Sequence, residues 1–347
     1  MKKLKKNFPK IAKTALILIY LVIVAGAVVR MTGSGMGCPD WPKCFGYLIP
    51  PTERAQLEWQ THKNYEKGQV IIVDESLQVA VTDFTTGTEY DETNWQPYTR
   101  HDYSVFNAFH TWTEFINRLI GALAGLATLL MAIAAIGYWK EKKQITLLSW
   151  LVVIGMGFQA WLGAKVVYSV LQPVKITIHM VVALLLVALV LYIISLTKKI
   201  TNEVAFNAAF YKGLWIALLL TMLQVVLGTQ VRQFVDTQID LVGEAAKGLW
   251  LQNPELDFYI HRSFSIVVLV VNVFLFYQNR KKGLGFEKMN WVLLLLLAEI
   301  ATGILMYYVD FPFGSQPLHL VLASLLFGVQ FYLVLEAIQA KKQRETL

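Results

Sequence analysis

Eight apolar segments, each long enough to cross a membrane, divide this chain. A helix needs about 20 residues to cross the roughly 30 Å of hydrocarbon in a bilayer. Of the 347 residues, 56% are hydrophobic and only 16% are charged, whereas a soluble domain carries about 25% charged residues. We therefore predict an all-α, polytopic membrane protein. The predicted spans are 12–30, 109–138, 146–167, 174–197, 213–231, 258–278, 290–309 and 317–338.

Basic residues cluster at both ends of the chain and in every second loop, which predicts that both termini are cytoplasmic. This orientation accounts for the net charge of +7, so no nucleic-acid partner is expected. The first apolar run reaches Val29 without a small-residue cleavage pattern, so we expect it to be retained as helix 1. No Arg- and Ser-rich transit segment is present, which favours a bacterial plasma membrane. The basic clusters are Lys2, Lys3, Lys5, Lys6; Lys140, Lys142, Lys143; Lys198, Lys199, Lys212; Arg280, Lys281, Lys282, Lys288; and Lys341, Lys342, Arg344.

The same landmarks recur in the two halves of the chain. Sixteen residues separate Gly163 from His179 on predicted helices 3 and 4, and sixteen separate Gly303 from His319 on helices 7 and 8. Two four-helix bundles of the same orientation are therefore predicted, related by a pseudo-two-fold axis along the membrane normal. The other matched pairs are Gly26 with Gly228, Arg30 with Arg232, Asn117 with His261, Arg118 with Arg262, and Gln159 with Glu299.

Four regions follow from this division. Residues 1–30 form the cytoplasmic N-terminus and helix 1, and residues 31–106 form an enlarged extracytoplasmic loop, called the outer loop below. Residues 107–200 carry helices 2–4, which complete the first half, and residues 201–347 form the second half. Alternation at 69–73 predicts a short strand in the outer loop.

Both cysteines, Cys38 and Cys44, lie in the outer loop. An even number of cysteines on the oxidising face is what a disulfide requires. A structural link and a redox role are both compatible with the sequence. Zinc is not expected, because two thiols without a second pair make an incomplete tetrahedral site.

His179, His261 and His319 each lie a few residues inside the outer end of a span. Ionisable side chains in hydrocarbon are costly and mark candidate functional sites. A histidine in a membrane span can also be a hydrogen-bonded residue of the protein core. Three histidines at matched depth favour ligation of haem iron instead. We expect His261 and His319 to be the axial ligands of one haem. Arg262 would pair with a propionate or would act as an interface anchor.

The matching site in the first half is incomplete. His179 is present, but Asn117 stands where the second half has His261, and an amide is a poor iron ligand. Glu114 lies one helical turn outward on the same face as Asn117. There it would transfer protons or stabilise charge, or it would be a boundary carboxylate paired with Arg118.

Taken together, these features resemble the haem A synthase family over nearly the whole chain. The resemblance lies in the eight helices in two halves, the segment Gly33–Cys44 after helix 1, and the histidines of helices 4, 6 and 8. It implies oxidation of the C8 methyl group of haem O to a formyl group by successive hydroxylations, giving haem A for terminal oxidases.

By the same resemblance, the second half holds a haem b cofactor on His261 and His319 that passes electrons. The first half holds the substrate haem, with Glu114 catalytic and His179 a ligand or a neighbour of the iron. Arg118 and Arg262 hold propionates, and Cys38 and Cys44 match the family's cysteine pair. Haem O synthase and a membrane electron donor are the implied partners, besides lipid, while the oligomeric state stays open.

Three features depart from the family pattern. Asn117 replaces the histidine of the family's Glu-x-x-His-Arg motif, the outer loop is longer, and a second cysteine pair is absent. Asn117 is compatible either with a five-coordinate substrate haem on His179 or with lost activity. The alternative function is therefore a non-catalytic haem b-binding electron carrier or haem chaperone. A transporter is a weaker alternative, because the spans lack the Gly- or Pro-broken helices of transport sites.

Overall fold

A computed structural model describes residues 2–101, 105–198 and 204–346. Lys199, from one of the predicted basic clusters, lies outside these residues. The described part of the chain contains eight helices that are long and apolar enough to cross a membrane, which confirms the all-α, polytopic prediction. The helices are α1 (Lys2–Met31), α2 (Ala108–Ala135), α3 (Lys143–Tyr168), α4 (Pro173–Thr197), α5 (Ala208–Val242), α6 (Leu256–Lys281), α7 (Met289–Tyr308) and α8 (Ser315–Thr346).

Local sequence explains where several helices begin. The side chain of Asn107 accepts hydrogen bonds from the first backbone N–H groups of α2, and Asn207 does the same for α5. Helix α4 begins at Pro173, whose missing N–H costs nothing in the first turn. The fifth predicted span, 213–231, lies within a helix that extends beyond it at both ends. Helix α5 continues to Val242, and the ion pair of Arg232 with Asp236, one turn apart, lies within this extension.

The helices pack in two groups of four. In the first group each helix contacts the next, and α1 closes the group against α4; in the second group α5 closes against α8 in the same way. The groups meet where α1 and α4 contact α8 and where α4 contacts α5. One apolar core runs through both groups. The pseudo-two-fold relation between the halves stays a prediction, which this grouping supports.

The outer loop folds into two small antiparallel sheets above the helices. Strand β1 (Asn64–Tyr65) pairs with β4 (Phe84–Thr85), and β3 (Ser76–Ala80) pairs with both β2 (Val70–Val73) and β5 (Trp95–Pro97). Strand β2 lies at the alternating residues 69–73, where a strand was predicted. Buried side chains of β2 and β3 pack on Cys38, Cys44 and Phe45, so the sheet is joined to the segment that follows α1. We call the end of the helices that carries this loop the outer end.

Candidate functional site

The two histidines of the second half face each other across a gap. The ring centroids of His261 on α6 and His319 on α8 are 6.4 Å apart, and their planes are inclined by 71°. Metal–imidazole bonds are about 2 Å long, so an iron between two ring nitrogens fits this separation. A Cβ added to Gly228 would lie 3.1 Å from His261 Cε1, and one added to Gly303 would lie 3.7 Å from His319 Cε1. These glycines give the rings their space.

The two rings are held differently. Nδ1 of His319 lies 3.0 Å from a carboxylate oxygen of Glu299 and 2.8 Å from the hydroxyl of Thr302, which leaves Nε2 for a metal. A carboxylate behind a ligating histidine fixes the ring and makes it a stronger donor. His261 is fixed through its backbone instead, because the amide of Gln224 donates to its carbonyl oxygen at 2.9 Å.

Arg262 lies beside His261 on the exposed side of α6. Its guanidinium carbon lies 6.0 Å from the ring centre of Tyr307. Among the described residues, no hydrogen bond or ion pair of this guanidinium is found. The geometry is therefore compatible with both sequence-based roles, a propionate partner and an interface anchor.

The first half repeats part of this arrangement around His179. A Cβ added to Gly163 would lie 3.7 Å from His179 Cε1, the same distance as in the Gly303–His319 pair. Gln159, which matches Glu299, donates to the carbonyl oxygen of His179 at 3.0 Å and leaves Nδ1 unpaired. A Cβ added to Gly26 would meet no described atom within 4 Å. In the second half Gly228 lies against the ring of His261. The space beside the matching glycine of the first half, Gly26, is open.

Buried polar atoms without partners mark both sites. Such atoms are rare in folded proteins, and a site for a bound group is one place where they occur. Within the described residues, such atoms occur in both halves, and two pairs of them match across the repeat, Asn117 with His261 and Gln159 with Glu299. They are Asn117 Oδ1, Gln159 Oε1 and His179 Nδ1 in the first half, and Gln224 Oε1, His261 Nδ1 and Glu299 Oε1 in the second.

Glu114 and Arg118 form a buried ion pair near the outer end of α2, which was one of the two sequence-based expectations for Glu114. Guanidinium Nη1 of Arg118 donates to the carbonyl oxygens of Asp40 at 2.7 Å and Lys43 at 2.8 Å, and Nη2 donates to that of Cys38 at 3.3 Å. Nε and Nη2 also donate to Glu114. All five N–H groups of this arginine are thus directed to the protein itself.

The structure confirms the predicted disulfide between Cys38 and Cys44, and both cysteines are buried. The bridged segment is fixed to α2. The N–H of Cys38 donates to Glu114 at 2.8 Å, and the hydroxyl of Thr111 donates to the carbonyl oxygen of Gly37 at 2.7 Å. Gly37 has no room for a side chain, because a Cβ would lie 2.4 Å from the carbonyl oxygen of His110. Burial favours a structural link over a redox role.

Asp40 completes this segment and was not singled out from the sequence. Its carboxylate accepts the N–H of Phe45 at 2.5 Å and that of Gly46 at 2.8 Å. Burial raises the pKa of the Asp40 carboxyl above its ordinary value, although the Gly46 hydrogen bond and the charge of Arg118 oppose the change. Glu299 was noted only as a landmark of the repeat. An acid within an apolar span is the signal that could have identified it.

The family model described as cytochrome oxidase assembly protein (COX15-CtaA) matches residues 10–92 and 68–331. The chain belongs to this family. Within the cytochrome oxidase assembly family, it is 22% identical to the heme A synthase of Flavobacterium psychrophilum over 91% of this chain and 93% of that protein. It is 22% identical to the heme A synthase of Bartonella quintana, covering 94% and 92%, and 23% identical to that of Wolbachia pipientis, covering 91% and 88%.

Proposed function

We propose that this protein is a haem A synthase, which oxidises the C8 methyl group of haem O to a formyl group. The observation that carries the proposal is the facing pair His261 and His319, in a chain whose full-length relatives are named heme A synthase. In each hydroxylation, with dioxygen as the oxidant, one oxygen atom is inserted into a methyl C–H bond to give C–OH. The other oxygen atom leaves as water after taking up two protons and two electrons from the membrane electron donor. The resulting geminal diol then loses water to leave the aldehyde.

The second half holds haem b in this proposal. His261 and His319 bind its iron, and Glu299 and Thr302 orient the ring of His319. Arg262, exposed beside the ligand, pairs with a propionate. When bound, the haem supplies one-electron transfer.

The first half binds haem O, with His179 as a ligand or neighbour of the substrate iron and Asn117 lining the open space. Both oxygens of Glu114 are held by donors, Oε1 by Arg118 and Oε2 by the N–H of Cys38. We propose that this carboxylate provides a fixed negative charge that stabilises charge developing on the substrate. Arg118 then acts by positioning Glu114 and the disulfide segment, and the propionate role predicted for it requires these contacts to be exchanged.

We further propose that the protein lies in a bacterial plasma membrane with both termini in the cytoplasm, as the basic clusters indicate. Haem O synthase would supply the substrate, and a membrane electron donor would exchange electrons with haem b.

The test is chromatography of haems from a host that lacks haem A and expresses this chain together with a haem O synthase. Haem A or its hydroxylated precursor is the expected product. Haem O alone, with the protein present in the membrane, would contradict the proposal. The control variant Asn117→His restores the family's helix-2 motif and shows whether Asn117 accounts for a missing product.

A non-catalytic haem b carrier or chaperone is the second candidate. The observation that favours it is Asn117, whose Oδ1 is buried without a partner where the second half has a histidine. This function predicts purified protein that contains haem b in stoichiometric amount and forms no oxidised haem O.

A further inference from the structure

Two repeat-related arginines share one carboxylate where the halves of the molecule meet. Arg30 of α1 donates to Asp236 Oδ2 through Nε at 3.2 Å and through Nη2 at 2.7 Å. Arg232 of α5 contacts Asp236 Oδ1 through Nη2 at 2.8 Å, and the same Nη2 donates to the carbonyl oxygen of Arg30 at 2.9 Å. Two guanidinium groups and one carboxylate leave an excess of one positive charge.

The second terminal nitrogen of Arg232, Nη1, is buried and has no hydrogen-bond partner among the described residues. A buried charged donor is costly unless an acceptor satisfies it. The other edge of this guanidinium is already held by Asp236 and by the backbone of Arg30. The side chain is therefore fixed in place with one N–H group unused, which is the arrangement of a preformed anion site.

The position of Arg232 on α5 connects it with His261. Gln224, Gly228 and Arg232 are spaced four residues apart and lie on one face of the helix. Gln224 donates to the carbonyl oxygen of His261, and Gly228 lies against its ring. Arg232 follows one turn, about 6 Å, further toward the outer end. We infer that Arg232 binds a propionate carboxylate of the haem held by His261 and His319.

This inference rests on the proposed haem b site and extends it. Haem b carries two propionates, and Arg262 on α6 is the partner already proposed for one of them. Arg232 provides the other contact from α5, at the junction of the two halves. A propionate there would both satisfy Nη1 and neutralise the excess positive charge.

Arg30 provides the matched control. It binds the same carboxylate, and its side chain is about as buried as that of Arg232, with 18% and 16% exposed. Gly26, one turn inward from Arg30, faces open space rather than His261. Arg30→Gln should therefore disturb the junction as Arg232→Gln does, without removing a contact to haem b.

The test compares haem b with its dimethyl ester, in which both propionates are uncharged. Full-length protein from a haem-auxotrophic host is purified, loaded with either compound, and followed for loss of haem to apomyoglobin. Arg232→Gln should lose haem b about 10- to 100-fold faster than wild type does, the range expected for one charged hydrogen bond. With the ester, the variant and the wild type should lose haem at nearly equal rates.

The possible results separate a propionate contact of Arg232 from a structural role and from failure of the proposed haem b site. If Arg232→Gln accelerates loss of haem b and of the ester equally, or if Arg30→Gln has the same haem-specific effect, Arg232 has only a structural role and the inference is wrong. If the wild-type protein takes up no haem b, the proposed cofactor site itself fails. If Arg232→Gln does not fold, Arg232→Lys, which keeps the charge and loses the planar fork, should show a smaller haem-specific effect. If Arg232→Lys, relative to wild type, accelerates loss of haem b and loss of the ester by the same factor, the inference is wrong.

Discussion

Glu299 places a carboxylate oxygen 3.0 Å from Nδ1 of His319, whereas the first half has an amide, Gln159, at the matching position. A carboxylate hydrogen-bonded to an axial histidine increases electron donation to the iron and stabilises its oxidised state. The two proposed haem sites therefore differ in two ways. Asn117 replaces the ligand His261, and Gln159 replaces the carboxylate of Glu299 that bonds to the other ligand.

Replacing Glu299 by Gln should raise the midpoint potential of haem b. For this one-electron couple, the midpoint potential changes by about 59 mV for each tenfold change in the equilibrium constant between oxidised and reduced iron. Potentiometric titration of the purified protein measures it. Gln159→Glu in the first half is the matched control and should leave the potential of haem b unchanged, and an unchanged potential in Glu299→Gln would contradict the role given to Glu299.

The glycines beside the histidines lead to a second prediction. Gly228→Ala places a methyl group 3.1 Å from His261, so the ring must move, and overpacking of this kind costs about 1–3 kcal/mol. We expect less haem b per protein and a changed absorption spectrum. Gly26→Ala is the control, because no described atom lies within 4 Å of the added methyl group. This variant should keep the wild-type haem b content and absorption spectrum. Equal loss of haem b in both variants would refute the explanation.

Arg118→Gln should destabilise the protein strongly. The substitution leaves the Glu114 carboxylate buried without its cation and removes donors from the carbonyl oxygens of Cys38, Asp40 and Lys43. Breaking one side of a buried ion pair costs about 3–5 kcal/mol. Thermal unfolding in detergent and protease cleavage within residues 31–106 would measure the effect. Arg280→Gln, at an exposed arginine at the opposite end of α6, should leave both the unfolding temperature and the cleavage rate near wild type. Equal cleavage in the two variants would show that Arg118 does not hold the loop.

Asp40 predicts a specific pH dependence. Because its pKa is raised in the folded protein, the folded state holds this proton more tightly than the unfolded state does. The stabilisation is complete below the ordinary Asp pKa of about 4 and is lost as pH rises through the raised value. The melting temperature of Asp40→Asn, relative to wild type, should therefore increase as the pH rises from about 4 through the raised pKa of Asp40. A constant difference across that range would contradict the assignment.

Much of the helical architecture follows from sequence because one quantity, hydropathy, controls which segments cross a membrane. Hydropathy does not give the end of α5. It falls at Arg232, but the helix continues to Val242, with the Arg232–Asp236 ion pair in the extension. Hydropathy locates the membrane boundary, and the helix need not end there.

Some residues of the candidate site could be predicted from the sequence, and others could not. His261 and His319 could be found because an imidazole in hydrocarbon is costly, and their facing rings agree with that prediction. The partners of Arg118 could not be found, since three of its acceptors are backbone carbonyl oxygens whose positions depend on the conformation of the loop. Sequence spacing alone left the pairing of Glu114 with Arg118 as one of two alternatives.

The short segment around the disulfide connects the sheets of the outer loop with α2. Gly37 and Cys38 are fixed to α2, and paired backbone hydrogen bonds between Cys44 and Tyr47 close the segment before the sheets begin. Asn107 restarts α2 at the other end. The sheets and this segment therefore behave as one cap, and a change that unfolds the sheets would reach Glu114 through the N–H of Cys38.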